Sequence, residues 1–280
     1  MEYGILTLCA TPIGNLEDMT YRAVRLLKEA DFVAAEDTRH TKKLLNYYDI
    51  HTRLISYHEH NKIEKGPELI NLLKEGKNIV LVTDAGTPGI SDPGSDLVML
   101  ALEEGITVTS APGCVAGITA LIISGQNTRR FIFEGFLPSD KKEKNEVLER
   151  LKNETRTTIL YEAPHRLIKT LNSLQEALGN RGITVTKELT KKHETVMKTT
   201  LIDAIEYFND NEPRGEYVLV LAGKDEKELK EEIQKSWDSY TIEEHMQMYI
   251  KEGLDSKAAM KKVAKDRGVS KRDIYAALHT

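Results

Sequence analysis

Four clusters of charged side chains directly follow apolar runs of the chain. The first contains Glu36, Asp37 and Arg39, immediately after the apolar run 32–35. Carboxylates in such a place can take a proton from a hydroxyl, and a guanidinium can stabilise the negative charge that then develops. A structural role is the alternative, because Asp37 or Thr38 could simply cap a helix that begins there.

The other three clusters combine imidazoles, carboxylates and cations. One has two histidines, which could instead belong to a surface turn. Another has an arginine that could bind a phosphate, and the last could be an ordinary surface ion pair. The histidine pair has no third ligand beside it in the sequence, so we predict no metal site. These side chains are His58 and His60, then Glu162, His165 and Arg166, then Lys187 and Glu188.

Length and composition restrict the class of protein. The 280 residues suffice for two α/β domains of ordinary size or one large one. Hydrophobic residues make up 40% and charged residues 30%, as in globular proteins, and we find no apolar stretch long enough to cross a membrane. The first eight residues resemble no export signal. With Cys9 and Cys114 interpreted as reduced thiols, these features predict a cytoplasmic protein.

The first half of the chain alternates strands with helices. Thr20 is a plausible helix cap, and Gly76 ends a helix over 68–75. Continuous apolar strands between helices indicate an α/β fold with a mainly parallel sheet covered on both faces. The predicted strands are 5–10, 32–35, 53–57, 78–83 and 106–109.

The second half predicts another α/β unit with a mixed sheet. We place its strands at 130–136, 157–161, 183–186 and 217–221, with a charged helix over 139–152. The loop residues of 122–129 suggest the boundary. The predicted domains are 1–123 (N-terminal α/β), 124–224 (C-terminal α/β) and 225–280 (a linker helix and a helical tail).

The tail is basic although the chain as a whole has a net charge of −5. Residues 254–280 contain seven Lys or Arg and three Asp. Two short helices, 257–267 and one from Ser270, resemble a helix-turn-helix in outline. A solvated helical face and an RNA contact explain this charge equally well.

Three loops at predicted strand ends are rich in Gly, Pro and small polar residues: 10–16, 83–94 and 110–116. In open α/β sheets, ligands bind outside the carboxyl ends of the strands. Gly lets the backbone approach a ligand closely, and Pro fixes the loop shape. Neither a Walker loop nor a GxGxxG loop is present, so phosphate cradling is not implied. Each loop alone would be interpreted as a tight turn, but together they predict a ligand site.

The motifs in and around these loops resemble the ribosomal RNA small-subunit methyltransferase I group, within the tetrapyrrole-methylase superfamily. They occur in order between residue 5 and about residue 222. The matching motifs are ATPIGNL (10–16), AEDTRHT (35–41), SYHEHN (56–61), TDAGTPGISDPG (83–94), APG (111–113), FEGFLP (133–138), YEAPHR (161–166), KELTK (187–191) and GE (215–216).

The resemblance implies a homodimeric two-domain fold that holds S-adenosylmethionine between the domains. It also implies methylation of the ribose 2′-hydroxyl of a cytidine in the decoding region of 16S rRNA, as naked RNA or within the 30S subunit. Either Asp84 or Asp92 could occupy the cofactor side of the second loop. By motif, the cofactor residues are Pro12, Asp84, Ala85, Gly86, Ile90, Ser91, Val115, Ala116 and Tyr161.

A neutral ribose hydroxyl is a poor nucleophile, so methyl transfer to it benefits from a base or a nearby cation. We therefore predict that Glu36, Asp37 and Arg39 act on the reacting ribose. Two alternatives stay open: a methylase of a tetrapyrrole or other small molecule, and a non-catalytic RNA-binding assembly factor. The predicted RNA contacts are His58, His60, His165, Arg166 and Lys187.

Overall fold

A computed structural model describes residues 2–279, which form two five-stranded sheets and a helical tail. The first sheet is entirely parallel, with strand order β3-β2-β4-β1-β5. All its carboxyl ends therefore lie at one edge, which brings the loops after them together. The strands are β1 (Ile5–Cys9), β2 (Phe32–Ala35), β3 (Arg53–Ser56), β4 (Ile79–Val82) and β5 (Thr107–Ala111).

The central strand β4 shows why this sheet is covered on both faces. All four of its residues are buried; Ile79 and Leu81 belong to one apolar cluster, and Val80 and Val82 belong to another. Alternate residues of a strand point to opposite faces, so an uninterrupted apolar strand requires helices on each side. These helices are α1 (Tyr21–Glu29), α2 (Thr38–Tyr47), α3 (Lys62–Lys74) and α4 (Gly94–Glu103).

The second sheet is mixed, with strand order β6-β7-β10-β8-β9. Only the β6–β7 pair is parallel among its described pairings. The helix α5 (Ala116–Ile123) packs Ala120 and Leu121 on one face, and α6, α7 and α8 cover the other. The bounds are β6 (Phe131–Gly135), α6 (Lys141–Lys152), β7 (Thr157–Glu162), α7 (Leu167–Leu178), β8 (Gly182–Lys187), β9 (Thr195–Thr200), α8 (Leu201–Asp210) and β10 (Tyr217–Leu221).

The tail is helical and has its own small core. Met246, Val263 and Ile274, one from each of its last three helices, pack together with two buried alanines. Among residues 2–279, no helix is long and apolar enough to span a membrane. The tail helices are α9 (Glu226–Ser236), α10 (Ile242–Lys251), α11 (Ser256–Asp266) and α12 (Lys271–Leu278).

The predicted fold class is confirmed, but several element bounds were wrong. Helix α3 begins at Lys62 and continues through Pro67, whereas the sequence predicted a start at Glu68. Strand β5 extends to Ala111, into the predicted third loop. Strand β9 was not predicted, and no bounds were predicted for helices α2, α4, α5, α7, α8 and α10. The domain boundaries stay a prediction, and α5, placed in the first domain by sequence, packs on the second sheet.

Candidate active site

The loops at the carboxyl edge of the first sheet and one edge of the second sheet enclose a cavity of about 500 Å³. Most of the predicted cofactor residues line it. The second sheet contributes the end of β7 and the start of β10, which lie side by side because these strands are antiparallel. The predicted residues in the lining are Ala85, Gly86, Ile90, Val115, Ala116, Tyr161 and, from the RNA set, His165.

Backbone hydrogen bonds join the first two loops. The Thr11 N–H donates to the Gly86 carbonyl (2.8 Å), and the Gly86 N–H donates back to Thr11 (3.1 Å). Gly86 has φ of +86°, a conformation that side chains rarely adopt, and a Cβ there would come 3.3 Å from Ile13. The Thr87 hydroxyl donates to the Cys114 carbonyl and thereby ties in the third loop (2.8 Å). The cavity wall is thus fixed largely by backbone geometry.

Tyr161 connects the second sheet to the beginning of α5. Its hydroxyl accepts a hydrogen bond from the Gly117 N–H (3.0 Å), one of the N–H groups that a helix cannot satisfy in its first turn. The N-cap residue is Val115, whose side chain has no acceptor, so the tyrosine replaces a capping side chain. Phe133 and Phe136 contact the ring edge-to-face, and burial raises the pKa of Tyr161.

The remaining predicted cofactor residues lie outside this lining: Pro12, Asp84 and Ser91. Asp84 accepts a hydrogen bond from the Asp37 backbone N–H (3.1 Å) and so joins the ends of β4 and β2. Asp92 accepts from the N–H groups of Gly89 (2.9 Å) and Gly94 (2.7 Å), which shapes the second loop. Neither aspartate lines the cavity.

The structure brings the predicted catalytic residues together at the end of β2, next to β4. Glu36 accepts a hydrogen bond from the Thr83 hydroxyl (2.9 Å). Asp37 caps α2 by accepting from the Arg39 N–H (2.8 Å), so the capping alternative is confirmed for this residue. The Arg39 guanidinium also contacts the Asp37 carboxylate (3.1 Å). This contact and the hydrogen bond from the Arg39 backbone N–H lower the pKa of Asp37 to about 2. The Arg39 side chain is 90% exposed.

His58 and His60 follow β3, which pairs with β2, and therefore lie at the same edge. Their ring centroids are 6.1 Å apart. The His58 backbone N–H donates to the Asn61 side chain (2.8 Å). Within residues 2–279, the buried Nδ1 of His58 has no hydrogen-bond partner, so this nitrogen can still form a hydrogen bond.

Arg166, predicted to contact RNA, is bonded inside the protein. Its Nε lies 3.4 Å from the carboxylate of Glu162, whose side chain is fully buried, and its guanidinium donates to the Leu137 carbonyl (2.5 Å). The Thr170 hydroxyl donates to the other Glu162 oxygen (2.5 Å). A buried carboxylate needs such partners, so Arg166 has a structural role beside the cavity.

Lys187 lies outside the cavity lining. Because alternate residues of a strand point the same way, Lys187 shares its strand face with Val185. Val185 packs in the core under α7 and α8. Leu189, Glu216 and Tyr217 also line the cavity, although the sequence did not predict them there. The only signal for them was the KELTK and GE motifs. The rule that ligands bind after the carboxyl ends of strands could not find Glu216 and Tyr217, because β10 has its amino end at the cavity.

A metal site is not supported by the geometry. Over residues 2–279, no group of three or more His, Cys, Asp or Glu side chains is placed to hold a metal ion.

Known structures share this fold. Diphthine synthase aligns with a TM-score of 0.62 at 14% identity, covering 78% of this chain and 89% of that one. The uroporphyrin-III C-methyltransferase of Thermus thermophilus, in complex with S-adenyl homocysteine, aligns with a TM-score of 0.57 at 17% identity, covering 78% and 97%. At such identities the likeness concerns the fold alone.

Residues 6–205 match the sequence model of the family described as Tetrapyrrole (Corrin/Porphyrin) Methylases. The chain therefore belongs to the tetrapyrrole methylase family.

Full-length relatives define its place in that family. Ribosomal RNA small subunit methyltransferase I of Halalkalibacterium halodurans is 51% identical, covering 99% of this chain and 96% of the relative. The Bacillus subtilis protein of the same name is also 51% identical, covering 99% and 95%. That of Synechocystis sp. is 48% identical, covering 97% and 96%. Within the tetrapyrrole methylases, the chain thus belongs to the ribosomal RNA small subunit methyltransferase I group.

Proposed function

We propose that this protein transfers a methyl group from S-adenosylmethionine to the 2′-hydroxyl of a cytidine ribose in small-subunit (16S) ribosomal RNA. The observation that carries the proposal is the agreement of sequence and site. Relatives 51% identical over 99% of the chain are named small-subunit rRNA methyltransferases, and the motif loops enclose one cavity. S-adenosylmethionine supplies a methyl group on a positively charged sulfur.

The residues of the cavity fit a nucleoside cofactor. A volume of about 500 Å³ is in the range of small-molecule sites. Gly86, held by two backbone bonds, lets the wall approach a ligand, and Val115, Ala116 and Tyr161 also line the cavity. Leu189 of the lining is followed by Thr190, whose buried hydroxyl has no hydrogen-bond partner among residues 2–279.

The ribose that accepts the methyl group would contact the polar side chains at the ends of β2 and β3. The carboxylate of Glu36 or Asp37 could take the proton of the ribose hydroxyl. The exposed Arg39 would stabilise the oxygen as it becomes negative or bind the adjacent phosphate. The chemistry then consists mainly of orienting the ribose oxygen in line with the methyl group.

The test is methyl transfer from radiolabelled S-adenosylmethionine to 30S subunits or naked 16S rRNA from cells lacking this protein, followed by mapping of ribose methylation. Labelling of one cytidine ribose supports the proposal. Labelling of uroporphyrinogen instead would identify a small-molecule methylase, and failure to bind the cofactor in calorimetry would favour a non-catalytic assembly factor.

Two substitutions test the roles of the carboxylates while preserving their local structure. Glu36→Gln can keep the bond from Thr83, and Asp37→Asn keeps a good capping side chain. Loss of a general base slows the chemical step by about 10²–10⁴-fold. If both variants turn over at the wild-type rate, the assignment to Glu36 and Asp37 fails.

We further propose that the protein is a cytoplasmic homodimer, as the resemblance implied. Exposed apolar side chains on α5 and β6 support self-association, since such patches mark interaction sites. Ile122 is 68% exposed, and Ile118, Phe131 and Phe133 are also exposed. Light scattering after size-exclusion chromatography tests this; a monomer of 31.6 kDa at micromolar concentration would contradict it.

A further inference from the structure

The outer face of helix α11 is a row of lysines. Lys257, Lys261 and Lys265 are spaced four residues apart and so lie on one face of the helix, whereas Ala259 and Val263 are buried against the other tail helices. All three lysines are exposed. We call them the lysine row.

The lysine row is not neutralised by the protein itself. Within residues 2–279, none of its members forms an ion pair, although many other lysines do. At the start of α12, the exposed Lys271 and Arg272 add further positive charge. Unpaired cations concentrated on one surface attract polyanions.

The three aspartates of residues 254–280 form internal hydrogen bonds. Asp255 caps α11 by accepting from the Ala258 N–H (2.6 Å). Asp266 accepts from the Tyr249 hydroxyl (2.5 Å). Asp273 takes part in the capping box of α12. Each carboxylate therefore stabilises the tail fold, and none forms an ion pair with a member of the lysine row among residues 2–279.

The tail follows β10, and the end of β10 from which it continues is the one remote from the cavity. Tyr217, at the start of β10, lines the cavity. Leu221, at its other end, pairs with Thr158 and Ile183 at the opposite edge. Four residues of strand span about 13 Å, and α9 begins only after this point. None of the tail helices contributes a residue to the cavity lining among residues 2–279, so the lysine row is separate from the cavity wall.

We infer that the lysine row, with the start of α12, is a second RNA-binding surface that holds backbone phosphates of the rRNA at a distance from the methylated ribose. The inference rests on the proposed function, which supplies an RNA partner. Lysine–phosphate contacts carry little sequence information but position the substrate. This surface should therefore act on substrate binding and leave the chemical step unchanged.

The test compares two triple variants of the full-length protein. The first replaces Lys257, Lys261 and Lys265 by Gln, which favours helix and keeps much of the side-chain length. The control replaces Lys227, Lys230 and Lys235 of α9 by Gln. It makes the same change of charge on exposed lysines of an acidic helix. Thermal unfolding checks that both variants are folded.

We expect KM for 30S subunits to rise about tenfold in the lysine-row variant, with kcat and cofactor affinity unchanged, and little change in the control. The slope of log affinity against log salt concentration should become shallower by about 2, because about three phosphate contacts are lost. Replacement of the same three lysines by Arg should keep both values near wild type.

Equal KM and salt slope in the two Gln variants would overturn the inference. So would binding of the wild-type tail surface to phosphatidylglycerol vesicles but not to RNA. If the wild type methylates neither rRNA nor 30S subunits, the proposed function fails. Filter binding of 30S subunits to the wild type and both variants still decides whether the lysine row binds RNA.

Discussion

Substitution of Gly86 by Ala tests whether the backbone of the second loop shapes the cavity. Gly86 has φ of +86°, and an added Cβ would come 3.3 Å from the Ile13 side chain and 3.5 Å from the Cys114 carbonyl oxygen. Both neighbours belong to the loops that form the wall. The methyl group must therefore push Ile13, which lines the cavity, or strain the bonds to Thr11.

The size of the effect follows from two separate contributions. The positive φ alone costs an alanine about 1–2 kcal/mol, which lowers the free energy of unfolding. The displaced wall should weaken cofactor binding by a further 1–2 kcal/mol or so, about tenfold in Kd. Gly105 separates these contributions, because it has φ of +70° and nothing within 4 Å of an added Cβ. Gly105→Ala should lose stability alone.

Thermal unfolding and calorimetry with S-adenosylmethionine measure the two contributions. We expect both variants to unfold a few degrees below wild type, at roughly 2–4 °C per kcal/mol for a chain of this size. Only Gly86→Ala should bind the cofactor more weakly. Equal cofactor affinities in Gly86→Ala and Gly105→Ala would refute the reasoning that this loop forms the cofactor wall.

Three further predictions concern single hydrogen bonds and charges. Tyr161→Phe keeps the ring contacts but leaves an N–H of α5 without its acceptor, so it should lower the free energy of unfolding by about 1 kcal/mol; Tyr21→Phe, at a side chain 98% exposed, is the control and should not. Arg39→Gln should raise the pKa of Asp37 from about 2 toward 3.8, as measured by carboxyl NMR. Any activity that needs the Asp37 carboxylate should therefore persist to lower pH in the wild type than in this variant. Burial lowers the pKa of His245 below 6.5, so the unfolded chain binds a proton at this residue more readily than the folded chain. The tail should therefore lose stability as pH falls below about 6.5. Thermal unfolding of His245→Phe should lack that pH dependence, and an unchanged dependence would contradict the prediction.

The first sheet was predictable because its strands are short apolar runs separated by helices and by Gly- and Pro-rich loops. The bounds of β2 and β10 were predicted to the residue. Strand β9 (TVMKTT) was missed because it lies at the edge of its sheet, is half exposed and has only two apolar residues, which are adjacent and so show no alternation. Such a segment resembles a loop until its pairing with β8 is known.

The site was predictable to the level of loops and not of side-chain direction. Gly and Pro density identified the second loop, but sequence could not tell that Ile13 rather than Pro12 faces the cavity. Arg166 was assigned to RNA because a motif arginine looks free in sequence. Its partner, the Leu137 carbonyl, is 29 residues away and becomes its neighbour only in the folded chain.

The residues proposed to bind the cofactor and those proposed to act on the ribose lie in different parts of the site. The cavity wall depends on backbone bonds between loops, such as those of Thr11 with Gly86, and on mostly uncharged side chains. The charged groups proposed to act on the ribose stand at the end of β2, where the bond from Thr83 to Glu36 and the cap formed by Asp37 fix them. Because the two sets share few side chains, changes at Glu36 should slow turnover without weakening the cofactor, whereas changes at Gly86 should do the reverse.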